Sequence, residues 1–177
     1  MAHDTVTIQQ LLAALRGHVE ILEQRGDASG LVHAITDDSR AVTKGSLFVA
    51  VKGERVDGHE FIDRAIKAGA VGVIVQSSVP SGALPFVQVA DSRKALGLLG
   101  SRFHGNPSAR LKMIGVTGTN GKTTTTYLCK ALLEGAGQRV GLIGTVGYQI
   151  GQESLPASDT TPGALDLQAL LSKMVES

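Results

Sequence analysis

The chain has 177 residues, 42% of them hydrophobic, with 17 basic against 16 acidic side chains. That length buries a sizeable core in one or two domains, and the near-neutral balance gives no electrostatic case for nucleic acid or an anionic membrane. With 3% aromatic residues and no Trp, base-stacking platforms are excluded as a main feature. The single cysteine, Cys129, rules out an internal disulfide and fits a reducing cytoplasm. The Met-Ala-His-Asp-Thr start has no basic segment followed by an apolar stretch, so no signal peptide is expected. No apolar run approaches the roughly 20 residues of a membrane span.

In chain order, Thr7 and Gln10 form a capping-box pattern. Ile8, Leu11, Leu12, Leu15, Val19 and Leu22 follow at helical spacing, which predicts an amphipathic first helix up to Gly26. Leu47–Val51 is predicted as a strand, Phe61–Ala68 as a helix ending before Gly69, Val71–Val75 as a β-branched strand and Phe86–Val89 as another. Ser92 is placed to cap a helix carrying Ala95, Leu96, Leu99 and Phe103, which ends near His104-Gly105. Asn106-Pro107 breaks the chain, giving expected domains of 1–106 and 107–177. Beyond it come an expected strand (Leu111–Val116), a glycine-rich loop, a helix (about Lys122–Ala136), a strand (Val140–Gly144) and a helix opened by Thr161-Pro162. Leu167, Leu170, Leu171, Met174 and Val175 line one face of that last helix. The fold class is therefore α/β: a small mixed α/β N-terminal domain followed by a partial P-loop domain built on a parallel sheet.

The loop carries the chemistry. Residues 115–124 read Gly-Val-Thr-Gly-Thr-Asn-Gly-Lys-Thr-Thr between an apolar run and a helical pattern. Gly118 and Gly121 permit positive φ and close approach of backbone N–H groups to an anion. Lys122 supplies a point charge for terminal phosphates, the Thr123 hydroxyl suits a magnesium ion, and the following helix adds its positive end. Val116 stands where the common pattern has glycine, so the loop is a variant form.

Other tempting residues read as structural. His59 lacks a second ligand at metal-binding spacing and is expected to be a turn histidine, while His3, His18, His33 and His104 are dispersed. Asp37 and Asp38 are adjacent in an extended segment and point to opposite sides, which argues against a shared metal. Arg110 and Arg139 read as solvated strand flanks, and Cys129 as a small buried apolar residue.

The segment Gly115–Thr126, including its Val116 departure, closely resembles the ATP-binding loop of the Mur ligases, cytoplasmic ATP-dependent amide-forming enzymes of bacterial peptidoglycan synthesis. Thr36-Asp-Asp-Ser-Arg-Ala-Val-Thr-Lys-Gly-Ser-Leu-Phe-Val-Ala-Val-Lys-Gly53 and Asp57-Gly-His-Glu-Phe-Ile62 resemble the family's uridine-nucleotide-binding domain. Gly141–Tyr148 and Thr160–Gln168 are most similar to the members that add the third residue.

The resemblance implies roles for particular residues. Gly118 to Thr124 would bind ATP, with Lys122 and Thr123 carrying phosphoryl transfer and Thr123 holding Mg2+. Asp37 and Ser39 match uridine-site positions, and Arg40 would only hold the loop. Glu54, Arg55 and Val56 match a segment lying along UDP, and Asp159, Thr160 and Thr161 match contacts to the muramoyl-peptide. Thr161 could equally be an ordinary helix cap. The implied reaction joins a third amino acid, taken as meso-diaminopimelate because it is common in bacteria, to UDP-N-acetylmuramoyl-L-alanyl-D-glutamate through an acyl phosphate. The implied partners are therefore small molecules: UDP-muramoyl-dipeptide, ATP and a diamino acid.

No apolar strand ending in Asp or Glu follows residue 124, so the chain is expected to be an inactive N-terminal fragment with a tendency to self-associate. Two other readings stay open, a non-catalytic UDP-sugar or ATP-binding module and an unrelated P-loop NTPase.

Overall fold

The structure is a computed structural model that describes residues 6–53, 56–77, 85–157 and 162–177. It divides into two compact units, Met1–His104 and Gly105–Ser177.

The first unit begins with β1 (Val6–Thr7) and α1 (Ile8–Leu12), continued by a 3-10 turn over Ala13–Leu15. The capping box is formed: Gln10 N donates to Thr7 Oγ1 at 3.2 Å and Thr7 N donates to Gln10 Oε1 at 2.9 Å. The helix nevertheless ends at Leu15 and does not run on to Gly26, because Arg16 turns extended and Gly17 adopts φ 75°. Residues Ile21–Arg25 instead form β2, whose backbone pairs antiparallel with a neighbouring strand edge and leaves Leu22 52% exposed. Ladder hydrogen bonds along an otherwise open edge outweigh the helical spacing of the apolar side chains.

The remaining elements are β3 (Leu31–Val32), β4 (Ala34–Thr36), β5 (Ser46–Val49), α2 (Ile62–Lys67, led in by a 3-10 turn), β6 (Gly72–Val75), β7 (Phe86–Val89) and α3 (Ser92–Phe103). Strands β4, β5, β6 and β7 are parallel and β2 closes the edge, in the order β2-β7-β6-β5-β4. Every residue of β5 and β6 is buried, as expected for parallel strands covered on both faces. Phe48, Val73, Val75 and Phe86 pack with Ile62 and Ala65 of α2 into one core cluster. The cap of α3 is Asp91, whose side chain accepts from Lys94 N at 2.9 Å; the expected cap, Ser92, is fully buried and bonds Gln76 Oε1 at 3.3 Å instead.

In the second unit, Asn106 sits in the left-handed region at φ 53° and Pro107 opens a 3-10 turn. Residues 111–117, expected to begin with a strand, form no ladder among the described residues, and Met113 and Ile114 are 59% and 64% exposed. Helix α4 (Lys122–Gly135) follows, then an antiparallel meander of β8 (Gly141–Gly144), β9 (Gly147–Ile150) and β10 (Glu153–Leu155), and finally α5 (Ala164–Glu176). Among the described residues the parallel pairing thus lies in the first unit. Two-residue connections between β8, β9 and β10 permit only antiparallel hairpins, since parallel pairing needs a long crossover. Pro162 stands before the cap residue Gly163 and not at the first helical position. Leu170 packs on Tyr148 and Ile150, with Met174 beside them.

Candidate functional site

A cleft of about 480 Å³ opens beside the carboxyl ends of β4 and β5, lined by Asp37, Asp38, Ser39, Arg40, Val51, Val56, Gly58, Phe61 and Arg64. Clefts at this end of a parallel sheet are where α/β proteins place ligands, because the loops leaving the strands converge there.

The segment after β4 is shaped by its own side chains. Asp38 N donates to Thr36 Oγ1 at 3.1 Å, and Arg40 N donates to Asp38 Oδ1 at 2.8 Å. Arg40 Nε reaches Asp38 Oδ1 at 2.9 Å and Nη2 reaches Oδ2 at 2.8 Å, a forked grip that satisfies the carboxylate. These hydrogen bonds from the Arg40 side chain, then from its backbone, hold the Asp38 carboxyl down at about 2. Between them, Ser39 is 8% exposed and its hydroxyl has no hydrogen-bond partner among the described residues.

Gly58, which also lines the cleft, is flanked by a histidine clamp. Gln76 N donates to His59 Nε2 at 2.9 Å, so that nitrogen is unprotonated and Nδ1 carries the hydrogen, directed to Asp57 Oδ1 at 2.5 Å. The backbone and ring N–H groups of His59 lower the Asp57 carboxyl from its ordinary value. His59 is therefore structural, with both ring nitrogens occupied. Gly58 N donates to Val51 O at 3.0 Å, and a Cβ on Gly58 would lie 2.8 Å from that same oxygen.

In the second unit, Gly121 caps α4 at φ 77° and Gly118 lies at φ 149°. No side chain caps the start of α4, so the first-turn N–H groups stay available to an anion. Lys122 Nζ folds back over the loop, donating to Gly118 O at 2.6 Å and Thr119 O at 3.2 Å. The Thr123 hydroxyl has no hydrogen-bond partner among the described residues. Two positive-φ glycines, a lysine poised over the loop and a free hydroxyl at an uncapped helix start fit a nucleotide phosphate with a divalent cation.

Of the residues expected from sequence, Asp37, Ser39 and Val56 line the cleft together, and Gly118 to Thr124 lie on one loop and helix start. Glu54, Arg55, Asp159, Thr160 and Thr161 lie outside the described residues. Val51, Gly58 and Phe61, which lie in the quoted motifs but are not singled out by them, also line the cleft, as does Arg64, which lies outside those motifs. Arg64 stands one helical turn beyond Phe61, so extending the Asp57–Ile62 motif by that spacing would have found it.

The fold and site describe an α/β protein with a cleft at parallel strand ends and a lysine-bearing loop of phosphate-binding pattern. Residues 31–104 match the Mur ligase family, catalytic domain, and residues 116–177 match the Mur ligase middle domain. The chain belongs to the Mur ligase family.

It is 47% identical over 169 residues to the UDP-N-acetylmuramoyl-L-alanyl-D-glutamate--2,6-diaminopimelate ligase of Geobacillus thermodenitrificans, covering 96% of this chain and 34% of that relative. It is 49% identical over 145 residues to the ligase of the same name from Parabacteroides distasonis, covering 81% of this chain and 30% of the other. A solved structure of a UDP-N-acetylmuramoyl-L-alanyl-D-glutamate--2,6-diaminopimelate ligase superposes with TM-score 0.77 at 27% identity, over 98% of this chain and 34% of that one. MurF from Acinetobacter baumannii gives TM-score 0.62 at 28% identity, over the same shares. The chain thus spans about a third of the length of the curated relatives it matches. Among the described residues no helix is long and apolar enough to cross a membrane.

Proposed function

We propose that this chain supplies the uridine-nucleotide site and the ATP loop of a bacterial cytoplasmic ligase of peptidoglycan synthesis. The reaction joins meso-diaminopimelate to UDP-N-acetylmuramoyl-L-alanyl-D-glutamate. The reading is supported by the relatives' names and by the cleft in which Ser39, with an unpaired hydroxyl, is fixed by the Asp38–Arg40 fork. In it, residues 1–106 bind the UDP-muramoyl part and residues 107–177 begin the ATP-binding domain.

Within the cleft, Asp37, Ser39 and Val56 contact the uridine nucleotide, with Glu54 and Arg55 beside it. Asp159, Thr160 and Thr161 contact the muramoyl-peptide. On the loop, Gly118, Thr119, Asn120, Gly121 and Thr124 offer backbone N–H groups to ATP, Lys122 exchanges its loop carbonyls for phosphate oxygens, and Thr123 ligates Mg2+. ATP supplies the phosphoryl group that turns a carboxylate oxygen into a leaving group. The protein's part is to neutralise charge and fix the phosphates by rigid donors.

Isothermal titration calorimetry with UDP-N-acetylmuramoyl-L-alanyl-D-glutamate tests the reading. Saturable binding that weakens about fivefold in Ser39→Ala, the loss of one hydrogen bond worth about 1 kcal/mol, supports it. Absence of binding by the folded chain overturns it.

A further inference from the structure

Two guanidinium groups among the described residues line the cleft, and they are not equivalent. Arg40 is committed to Asp38 through its backbone N–H, Nε and Nη2. Arg64, on α2, has no side-chain hydrogen bond or ion pair among the described residues, although its charge is close enough to help lower the Asp38 carboxyl. With Asp38 and Arg40 cancelling each other, the described lining carries one further carboxylate, Asp37, and one uncommitted cation, Arg64. A uridine diphosphate has a matching polarity: a neutral base with an N3–H donor at one end and two phosphates at the other. The single spare cation among the described lining residues favours that ligand in one direction, with the phosphates toward the cation.

We infer that Arg64 is a positioning residue that binds the diphosphate of the uridine nucleotide and so sets the direction in which the nucleotide lies. The inference rests on the uridine-site reading above and adds a residue to it. Arg64 suits the task chemically, since its planar fork can hold two phosphate oxygens at once. Its position on the surface of α2, away from the buried core cluster formed by Ile62 and Ala65, means that replacing it leaves the packing intact.

The test is an amide chemical-shift titration of the full chain with UDP and, separately, with uridine, a method that reads weak as well as tight binding. Wild type is compared with Arg64→Gln, Arg64→Lys and Arg55→Gln, with thermal unfolding checked for each. In Arg64→Gln, UDP affinity is expected to fall about tenfold or more while uridine affinity is unchanged, because only charge-assisted phosphate bonds are lost. Arg64→Lys should lie between, keeping the charge and losing the fork. Equal UDP affinity in wild type and Arg64→Gln overturns the assignment of Arg64 and leaves the cleft reading standing. A tenfold loss confined to Arg55→Gln does the same. Failure of the folded wild-type chain to bind UDP at all overturns the cleft reading itself.

Discussion

Asp38 holds Arg40 with both carboxylate oxygens, at 2.9 Å from Nε to Oδ1 and 2.8 Å from Nη2 to Oδ2, while also accepting the Arg40 backbone N–H. One carboxylate thus ties a side chain and a turn together, and the turn carries Ser39 into the cleft. The pair is solvent-exposed on the arginine side, so its value is geometric more than energetic.

That pairing has a pH signature. The folded-state carboxyl of Asp38 is depressed to about 2 from an ordinary 3.8, so its stabilising contribution is present above about pH 4 and is lost as pH falls toward 2. Asp38→Asn removes this group and should flatten the corresponding part of the stability curve. Urea midpoints at pH 4 and pH 2 check it: a smaller drop in Asp38→Asn than in wild type is expected, and an identical drop would contradict the role given to the pair.

Gly58 and Gly97 make a matched comparison. A Cβ at Gly58 would meet Val51 O at 2.8 Å and Val51 N at 2.9 Å, both backbone atoms that cannot rotate away, whereas Gly97 on α3 has nothing within 4 Å. Gly58→Ala should therefore cost about 1–3 kcal/mol, while Gly97→Ala should gain up to about 1 kcal/mol from helix propensity. Chemical denaturation of both variants measures this, and a neutral Gly58→Ala would show that the cleft wall is looser than its hydrogen bonds indicate.

His59 is expected to behave as a clamp and not as a ligand. His59→Ala leaves the Gln76 N–H without its acceptor and should cost about 1–3 kcal/mol. The wild-type ring should give 15N shifts of the Nδ1-protonated form at neutral pH, and adding zinc should leave the thermal midpoint unchanged. A zinc-dependent rise that disappears in His59→Ala would refute the clamp.

On the second unit, Lys122 now spends its charge on the carbonyls of Gly118 and Thr119. Lys122→Ala should lower ATP affinity at least tenfold, since charge-assisted phosphate contacts of about 1.5–3 kcal/mol are removed. Fluorescent-ATP titration decides the point, with equal affinities counting against the loop's assignment.

Local signals were legible where one chemical rule acted alone. The Thr7–Gln10 box, the Phe86–Val89 strand and the Lys122 helix start follow from capping, β-branching and glycine placement, and the structure has all three. The first helix departs from the sequence reading because Val19 and Leu22 keep helical spacing while the chain turns extended at Arg16, and a sheet edge claims the backbone of Ile21–Arg25. The apolar run at Leu111–Ile114 looks like a strand, but a strand exists only with a neighbour, and none pairs with it among the described residues. Ser39 was found through its motif. Arg64 lies one turn beyond Phe61 of the Asp57–Ile62 motif and so within reach of sequence, but that it is uncommitted depends on Arg40 being occupied, which only geometry reveals.

The most direct test is to map amide chemical shifts while UDP-N-acetylmuramoyl-L-alanyl-D-glutamate is titrated into the chain. Saturable shifts centred on Ser39, Arg40, Val56, Gly58 and Arg64 are the predicted result. Shifts centred elsewhere, or none at saturating ligand, would contradict the placing of the uridine nucleotide in this cleft.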